Sequence, residues 1–445
     1  LETFFLNIPT LQRIAELLTP YSDTTTIISM ALTILTNEQA FEANTANQTR
    51  GHLGTRDRTD PSCRFDFPGK ASGCLAAAKK LQQLTGLHTS RFLTDGYGQP
   101  LPEIVIKSSW RLPEREELAK GHELHYLESL ESTSEKALNR AMANEDPFIS
   151  DFGSEADVTP GTFQAARSAV GASFDMIDTI LSSPEDTGFA LVWPPGHHAE
   201  RARAMGFCYL SNAGLAALYA RDHITQIRPG HRNRVVIIDI DHHRGNGTTD
   251  VLANAPDLLF VDVSYRSPYD PIRRRFTDGD YNPINDRYED SGKEYPYSKE
   301  DTDYHLSAHP VAYASNVVSV EFEGIQEDHN QIIGRFLDEA LTAIHRFQPD
   351  IVLWSVGLDS ARGDPLGGLG YRPSTFYTLI RGTRLAFPHA RHGGLLEGGY
   401  DVRRWFTCLP PALLGFHEQP DDRKNRCHTF RRYRDAFTHR RQMRA

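Results

Sequence analysis

Cysteine is scarce and scattered in this chain. The five residues, Cys63, Cys74, Cys208, Cys408 and Cys427, are odd in number and form no metal-type cluster. That argues against a disulfide framework and for a reducing compartment. No apolar run reaches the roughly 18 residues of a membrane span. No signal peptide is visible and no internal repeat recurs. A basic excess is also missing. Lys and Arg number 48 against 58 Asp and Glu, and the formal net charge of -10 gives no reason to expect direct nucleic-acid binding. The chain begins at Leu1 rather than Met, which reads as a trimmed terminus. The expected setting is the cytoplasm or another reducing compartment, with export into a host left open.

What is present suits a globular protein with a large core. The chain has 445 residues, of which 39% are hydrophobic and 24% charged, which sets it apart from disordered and fibrous classes. Length alone suggests two or three domains, although single α/β domains often run long.

Residues 1–115 say least. Leu11 to Leu18 reads as helix, Thr26 to Leu35 as a strand or a helix, Gly51 to Lys70 as loop and Leu75 to Leu84 as a short helix. Glu114 to Leu130 reads as one helix carrying His122 and His125, for which a packing role is the plainer reading. From Thr162 onward, helices and apolar strands alternate. Helices are expected over Thr162 to Leu181, Asn212 to Ile224, Asp328 to Phe347 and Phe376 to Phe387. Strands are expected at Phe189 to Val192, Val235 to Asp241, Leu258 to Val263, Val317 to Phe322, Ile351 to Asp359 and Gly393 to Tyr400. The alternation predicts a doubly wound, mostly parallel sheet flanked by helices, with its site at the carboxyl ends of the strands.

Reactive side chains collect where those strands run out. Val235-Val236-Ile237-Ile238 leads into Asp239-Ile240-Asp241-His242-His243-Arg244-Gly245-Asn246-Gly247. Residues two apart on a strand share a side, so Asp241 and His243 can reach one metal ion, with Asp239 pointing their way. A solvated strand-to-loop turn is the plainer reading. Phe189 to Val192 runs into Trp193-Pro194-Pro195-Gly196-His197-His198-Ala199-Glu200, a histidine pair poised for proton transfer or metal binding. Ile351 to Leu358 ends at Asp359.

Five motifs stand in order: Trp193 to Glu200, Met205-Gly206-Phe207-Cys208-Tyr209, Asp239 to Thr248, Gly357 to Gly368, and Leu396-Glu397-Gly398-Gly399-Tyr400. Together they resemble the zinc-dependent histone deacetylase family, specifically its class II-like branch with bacterial members and acetylpolyamine amidohydrolases. The resemblance covers roughly Glu114 to Phe416 and implies the arginase–deacetylase α/β fold. By that resemblance, Asp241, His243 and Asp359 match the zinc ligands. Two carboxylates and an imidazole leave positions open on Zn2+, and Fe2+ suits the same donors. His198, partnered by Asn246, matches the general base, and His197 pairs with Asp239. Tyr400 matches the oxyanion donor, carried inward by Gly398 and Gly399. Gly206 and Phe207 match one wall of the acyl-lysine channel. Asp239 also resembles part of a structural K+ site. The implied partners are an acetylated lysine peptide or protein, histone tails among them, and the implied role is that of a chromatin regulator. No membrane partner is expected.

There are departures. Arg244 replaces the family's second histidine beside the metal ligand, and His242 occupies a commonly aliphatic position. The early His-Pro-Glu signature is missing, and Phe67-Pro68-Gly69 is its nearest stand-in. The second channel wall falls to Tyr265, Tyr269 or Pro271, and the rim acid to Glu155 or Asp157. Leu366 offers a substrate cation no partner, which favours acyl-lysine over acetylpolyamine. The insertion 266–315 nevertheless carries ten Asp or Glu against seven Lys or Arg and is open to two readings, a rim charge or a solvated loop. The expected division is an N-terminal segment 1–115, a catalytic domain 116–416 and a basic tail 417–445. That tail has nine Lys or Arg against four Asp or Glu, and a helix packing back on the body is the plainer reading. A small-molecule amidohydrolase and an inactive scaffold of the same fold are the alternatives to protein deacetylation.

Overall fold

The protein is described by a computed structural model covering residues 31–37, 68–85, 104–153, 156–183, 187–227, 233–253, 255–265, 281–282, 287–288, 316–322 and 328–417. The expectations at Leu11 to Leu18, Phe67, Glu155, Tyr269, Pro271, most of 266–315 and the tail beyond 417 lie outside these residues. Of the insertion, the described part is a short antiparallel pair, Tyr281–Asn282 with Arg287–Tyr288.

Eight strands form one sheet. In chain order they are β1 (Leu32–Leu35), β2 (Ile104–Lys107), β3 (Thr187–Ala190), β4 (Val235–Asp239), β5 (Leu258–Tyr265), β6 (Val317–Phe322), β7 (Ile351–Val356) and β8 (Arg391–Leu396). Their spatial order is β6-β5-β4-β7-β8-β3-β1-β2, and every pair is parallel. From β4 the chain runs outward through β5 to β6, then returns to lay β7 on the other side of β4. This reversal between β4 and β7 is where an open parallel sheet leaves a crevice at its carboxyl edge.

Both faces of the sheet are covered, which is why its strands are continuous apolar runs rather than alternating ones. Val236 and Ile238 of β4 pack in one core with Val352 and Trp354, under helices Pro68–Thr85, Pro373–Ala386 and Leu409–His417. Val235 and Ile237 pack in the other with Ile351 and Leu353, under helices Leu124–Met142, Thr162–Ser182 and Asn212–Ile227. Residues before 116 supply β1, β2 and the helix Pro68–Thr85 to the same body. Among the described residues, Cys74, Cys208 and Cys408 are free and buried, and no helix is long and apolar enough to cross a membrane.

Several boundaries differ from expectation. The first described helix begins at Pro68, inside the expected loop, and a proline suits the first helical position. β4 ends at Asp239 and β3 at Ala190, each two residues early. The long helix after β6 contains a π turn, Phe336–Ala340, between Asp328 and Phe347. Most consequential is the break in the helix expected over Glu114 to Leu130. It divides into Arg115–Leu118 and Leu124–Met142. At the break the chain presses against a neighbouring helix, where a Cβ on Gly121 would lie 2.8 Å from Leu215 Cδ2.

That break buries His122. Its Nε2 accepts from Ser211 N at 2.9 Å, so its Nδ1–H donates to Glu200 O at 2.9 Å. His125 stays exposed beside Glu123. Burial holds His122 down at about 4, and protonating Nε2 would break the Ser211 bond. The folded value lies below the unfolded one of about 6.5, so protons favour unfolding. The stability contributed by neutral His122 is present above about 6.5 and is lost as pH falls toward about 4. We expect His122→Asn to lower the melting temperature at pH 7 yet flatten its fall between pH 7 and 5. An unchanged acid slope would remove this role from His122.

Candidate active site

Register brings the reactive ends of five neighbouring strands to one edge. Asp239 of β4 lies level with Asp262 of β5 and with Ser355 of β7. Beyond β4 the chain bends through Ile240 to Arg244. Past β7 it makes a single 3-10 turn, Leu358–Ser360, which carries Asp359. β8 delivers Glu397 to Tyr400, and β3 delivers His197 and His198.

Asp241, His243 and Asp359 converge with one ligand atom each inside 4.8 Å. His243 Nδ1 lies 3.2 Å from Asp241 Oδ1 and 3.3 Å from Asp359 Oδ2. The remaining oxygens are held by backbone: Gly398 N donates to Asp241 Oδ2 at 2.8 Å and His242 N to Asp359 Oδ1 at 3.0 Å. Asp359 Oδ2 is buried and accepts no hydrogen bond of good geometry. A Cβ on Gly398 would intrude 2.1 Å from that oxygen and 2.6 Å from Asp241 Oδ2. Two carboxylates, an imidazole, an orphaned buried oxygen and a space kept clear by glycine fit a divalent cation with open positions. Asp239 does not join this group. It turns instead to His197 Nδ1 at 3.1 Å and accepts from Asp241 N at 3.0 Å, because the strand has ended and the two-residue periodicity with it.

The rings of the histidine pair lie 3.9 Å apart, tilted at 41°, yet they are held oppositely. Burial works against charge on His197, but Asp241 and Asp239 raise it well above the usual histidine value. Burial, then the charges of His197 and His243, hold His198 well below. His198 Nδ1 lies 2.7 Å from Asn246 Oδ1, and Asn246 Nδ2 donates to Glu200 Oε1 at 2.8 Å. The loop bearing the pair is pinned by Glu397, whose Oε2 accepts from Gly196 N at 2.8 Å and His197 N at 3.2 Å.

His197, Cys208 and Glu397 form a second group with metal-ligand spacing. Its members are already engaged. Glu397 Oε1 accepts from Ser355 Oγ at 3.0 Å, the Cys208 thiol faces Gly206 O at 3.3 Å, and His197 faces Asp239, so hydrogen bonding accounts for this cluster without an ion.

The rim has two aromatic sides. Met205 and Cys208 pair across a two-residue turn in which Gly206 and Phe207 both have positive φ, 53° and 65°. The Phe207 ring stands 6.0 Å from that of Tyr400 at 62°. Gly399, at φ 129°, reverses the chain so that Tyr400 faces back. Asp364 holds this loop, its Oδ2 accepting from Tyr400 N at 2.8 Å and Asp401 N at 3.0 Å, and its Oδ1 from Leu366 N at 3.0 Å. Leu366 is half-buried.

Arg244 is buried, and its charge acts on Asp262. Burial raises the Asp262 carboxyl and Arg244 offsets part of that rise. His242 is buried and kept neutral by burial, with its ring stacked on Tyr265 at 5.2 Å. Tyr265 packs behind His242. Asp157 lies on the short strand Ala156–Val158, where its backbone oxygen accepts from the Tyr209 hydroxyl. Sequence reasoning passed over Glu200, Asp364 and Glu397 as individual actors. An acid directly after a strand or a histidine pair was the available signal.

Burial lowers His243, but Asp241 and Asp359 outweigh it and hold the imidazole at about 10. A cation binding between the acids must expel that proton, so affinity should rise with pH, about tenfold per unit between pH 6 and 8 for one proton released. Competition between the protein and a chromophoric zinc chelator measures this. A flat profile would remove His243 from the ligand set.

The Histone deacetylase domain family matches residues 80–413. Histone deacetylase 14, chloroplastic, of Arabidopsis thaliana is 27% identical over 417 residues, covering 90% of this chain and 84% of that protein. Polyamine deacetylase HDAC10 of Danio rerio is 24% identical over 346 residues, covering 77% of this chain. The match spans only 43% of that relative's length. The crystal structure of the HDA15 HD domain superposes with a TM-score of 0.64 at 22% identity, covering 88% of this chain and 89% of that one, and shares the fold. With the family match running through β2 to β8 and every loop of the site, the chain belongs to the histone deacetylase domain family.

Proposed function

We propose that this chain hydrolyses the amide of acetyl-lysine in peptides or proteins, histone tails among them, with a divalent metal held by Asp241, His243 and Asp359. The observation that carries this reading is the triad beside an imidazole, His198, held neutral and within reach of it. His198 and His243 rings are 5.9 Å apart. Zn2+, or Fe2+ on the same oxygen-rich donors, would polarise the acetyl carbonyl and acidify water there. His198 then takes the proton of the attacking water at Nε2 and returns it to the leaving amine. His197, kept charged by Asp239, offers a fixed positive field to the developing oxyanion. The Tyr400 hydroxyl donates to that oxyanion from the opposite side. Phe207 grips the methylene stem, Gly206 sets its turn, and Gly398 and Gly399 carry Tyr400 inward.

Asp239 and Asp262, side by side on β4 and β5 and both raised by burial, support a structural K+ in their neighbourhood. The division into residues 1–115, a catalytic domain 116–416 and a tail 417–445 remains part of this proposal.

Leu366 favours acyl-lysine, because an apolar rim residue gives a distal ammonium no partner. A second reading, acetylpolyamine hydrolysis, is favoured by the matched relatives named polyamine deacetylase. An acetyl-lysine histone-tail peptide and an N-acetylated polyamine, offered side by side with and without chelator, separate the two. Chelator-sensitive acetate release from the peptide alone is the expected result, and preference for the polyamine would overturn it. Tyr400→Phe should leave metal content unchanged and cut turnover by about 10²–10³, the cost of one oxyanion donor. Full activity in that variant would remove Tyr400 from the chemistry.

A further inference from the structure

Asn246 presents two nearly identical faces, a carbonyl oxygen and an amino group, and only its neighbours decide which one meets His198. On the far side of the amide stands Glu200, 5% exposed, with Oε1 2.8 Å from Asn246 Nδ2. A carboxylate accepts and does not donate, so it selects the amino face. The thioether of Met205, 3.1 Å from the same nitrogen, is also an acceptor and selects the same way. The carbonyl oxygen is left for His198. Because that oxygen only accepts, His198 Nδ1 must carry the ring proton and Nε2 must carry the lone pair.

We propose that Glu200 is a positioning residue that sets the tautomer of His198 by fixing the orientation of the Asn246 amide. The inference rests on the reading of His198 as proton acceptor. With the amide reversed, amino hydrogens would face Nδ1, the ring proton would move to Nε2, and the base would meet water with an N–H instead of a lone pair. The backbone that carries Glu200 is fixed on both sides. Its backbone oxygen accepts from His122 Nδ1 at 2.9 Å and its backbone nitrogen donates to Arg203 O at 3.0 Å. The next residue is held from both directions, Arg201 N donating to Asp250 Oδ2 at 2.8 Å and Arg201 O accepting from Glu123 N at 2.8 Å. A glutamine of the same shape would fill the space but not select the amide face, since it can donate as well as accept, and the Met205 thioether that remains is only a weak acceptor. Packing alone therefore does not explain an acid here.

The test uses the full, metal-loaded chain and three variants, Glu200→Gln, Asn246→Asp and the double variant. Glu200→Gln should lower kcat at least about tenfold, where a wrong-tautomer change in a catalytic triad reaches about 10⁴, with KM and metal content unchanged. Asn246→Asp alone sets two carboxylates against each other and should also lower kcat. In the double variant the introduced glutamine amide can donate to the introduced carboxylate, whose other oxygen accepts from His198, so kcat should recover at least about tenfold over either single variant. A Glu200→Gln enzyme with unchanged kcat, or a double variant no better than the singles, would overturn the assignment. A readout independent of turnover is the ¹⁵N spectrum of histidine-labelled protein, with His198→Gln identifying the resonances. The proton should sit on Nδ1 of His198 in the parent chain and redistribute to Nε2 in Glu200→Gln. An unchanged spectrum overturns the role of Glu200. A shifted spectrum in a chain that cleaves no acetyl amide supports it while overturning the deacetylase reading.

Discussion

Among the described residues, carboxylates are buried together at one edge of the sheet, Asp239, Asp241, Asp262, Asp359, Asp364 and Glu397 among them. Removing charge from water is costly unless each oxygen finds a donor. Here the donors are mostly the backbone N–H groups of the loops themselves. Glu397 gathers Gly196 and His197, Asp364 gathers Leu366, Tyr400 and Asp401, and Asp241 gathers His243 and Gly398. The acids therefore tie together four loops from four different strands. The residual negative charge makes the edge a place for a cation, and the same acids raise His243 and His197 against their own burial.

The two adjacent histidines show how partner chemistry divides one residue type between two tasks. His197 faces a carboxylate and is kept charged. His198 faces an amide, sits between two positive rings and is kept neutral. The amide lets Nδ1 donate without supplying a full negative charge that would raise the ring. Glu200 stands one bond further out, where its charge orders the amide without meeting the imidazole directly. His122 connects this arrangement to the fold, because its neutral ring ties the backbone of Glu200 to Ser211.

Much of this was legible in the sequence. Continuous apolar runs at Val235–Ile238 and Ile351–Val356 could satisfy only a sheet buried on both faces, and acids or histidines directly after such runs could meet only at its carboxyl edge. The resemblance named the triad, the histidine pair and Tyr400, and the geometry brings them to one site. Less legible was anything governed by contact at long separation. Strand periodicity alone pointed Asp239 toward the metal ligands, while the resemblance paired it with His197, and it lies 3.1 Å from His197 Nδ1. His122 read as a surface or packing residue of one continuous helix, and its burial with bonds to Glu200 and Ser211 depends on the break beside Gly121.

The alternation of strands and helices, the placing of reactive residues at strand ends and their chemical types follow from local pattern, because period and burial are properties of neighbouring residues; the strand order and the crevice between β4 and β7 are set by long-range pairing. Which oxygen each N–H takes, which histidine is charged, and which face of Asn246 meets His198 are decided only when residues 40 or more positions apart are brought within about 3 Å. Hydrogen bonding falls off steeply over fractions of an ångström. No run of residues carries that precision by itself, and the packed sheet supplies it.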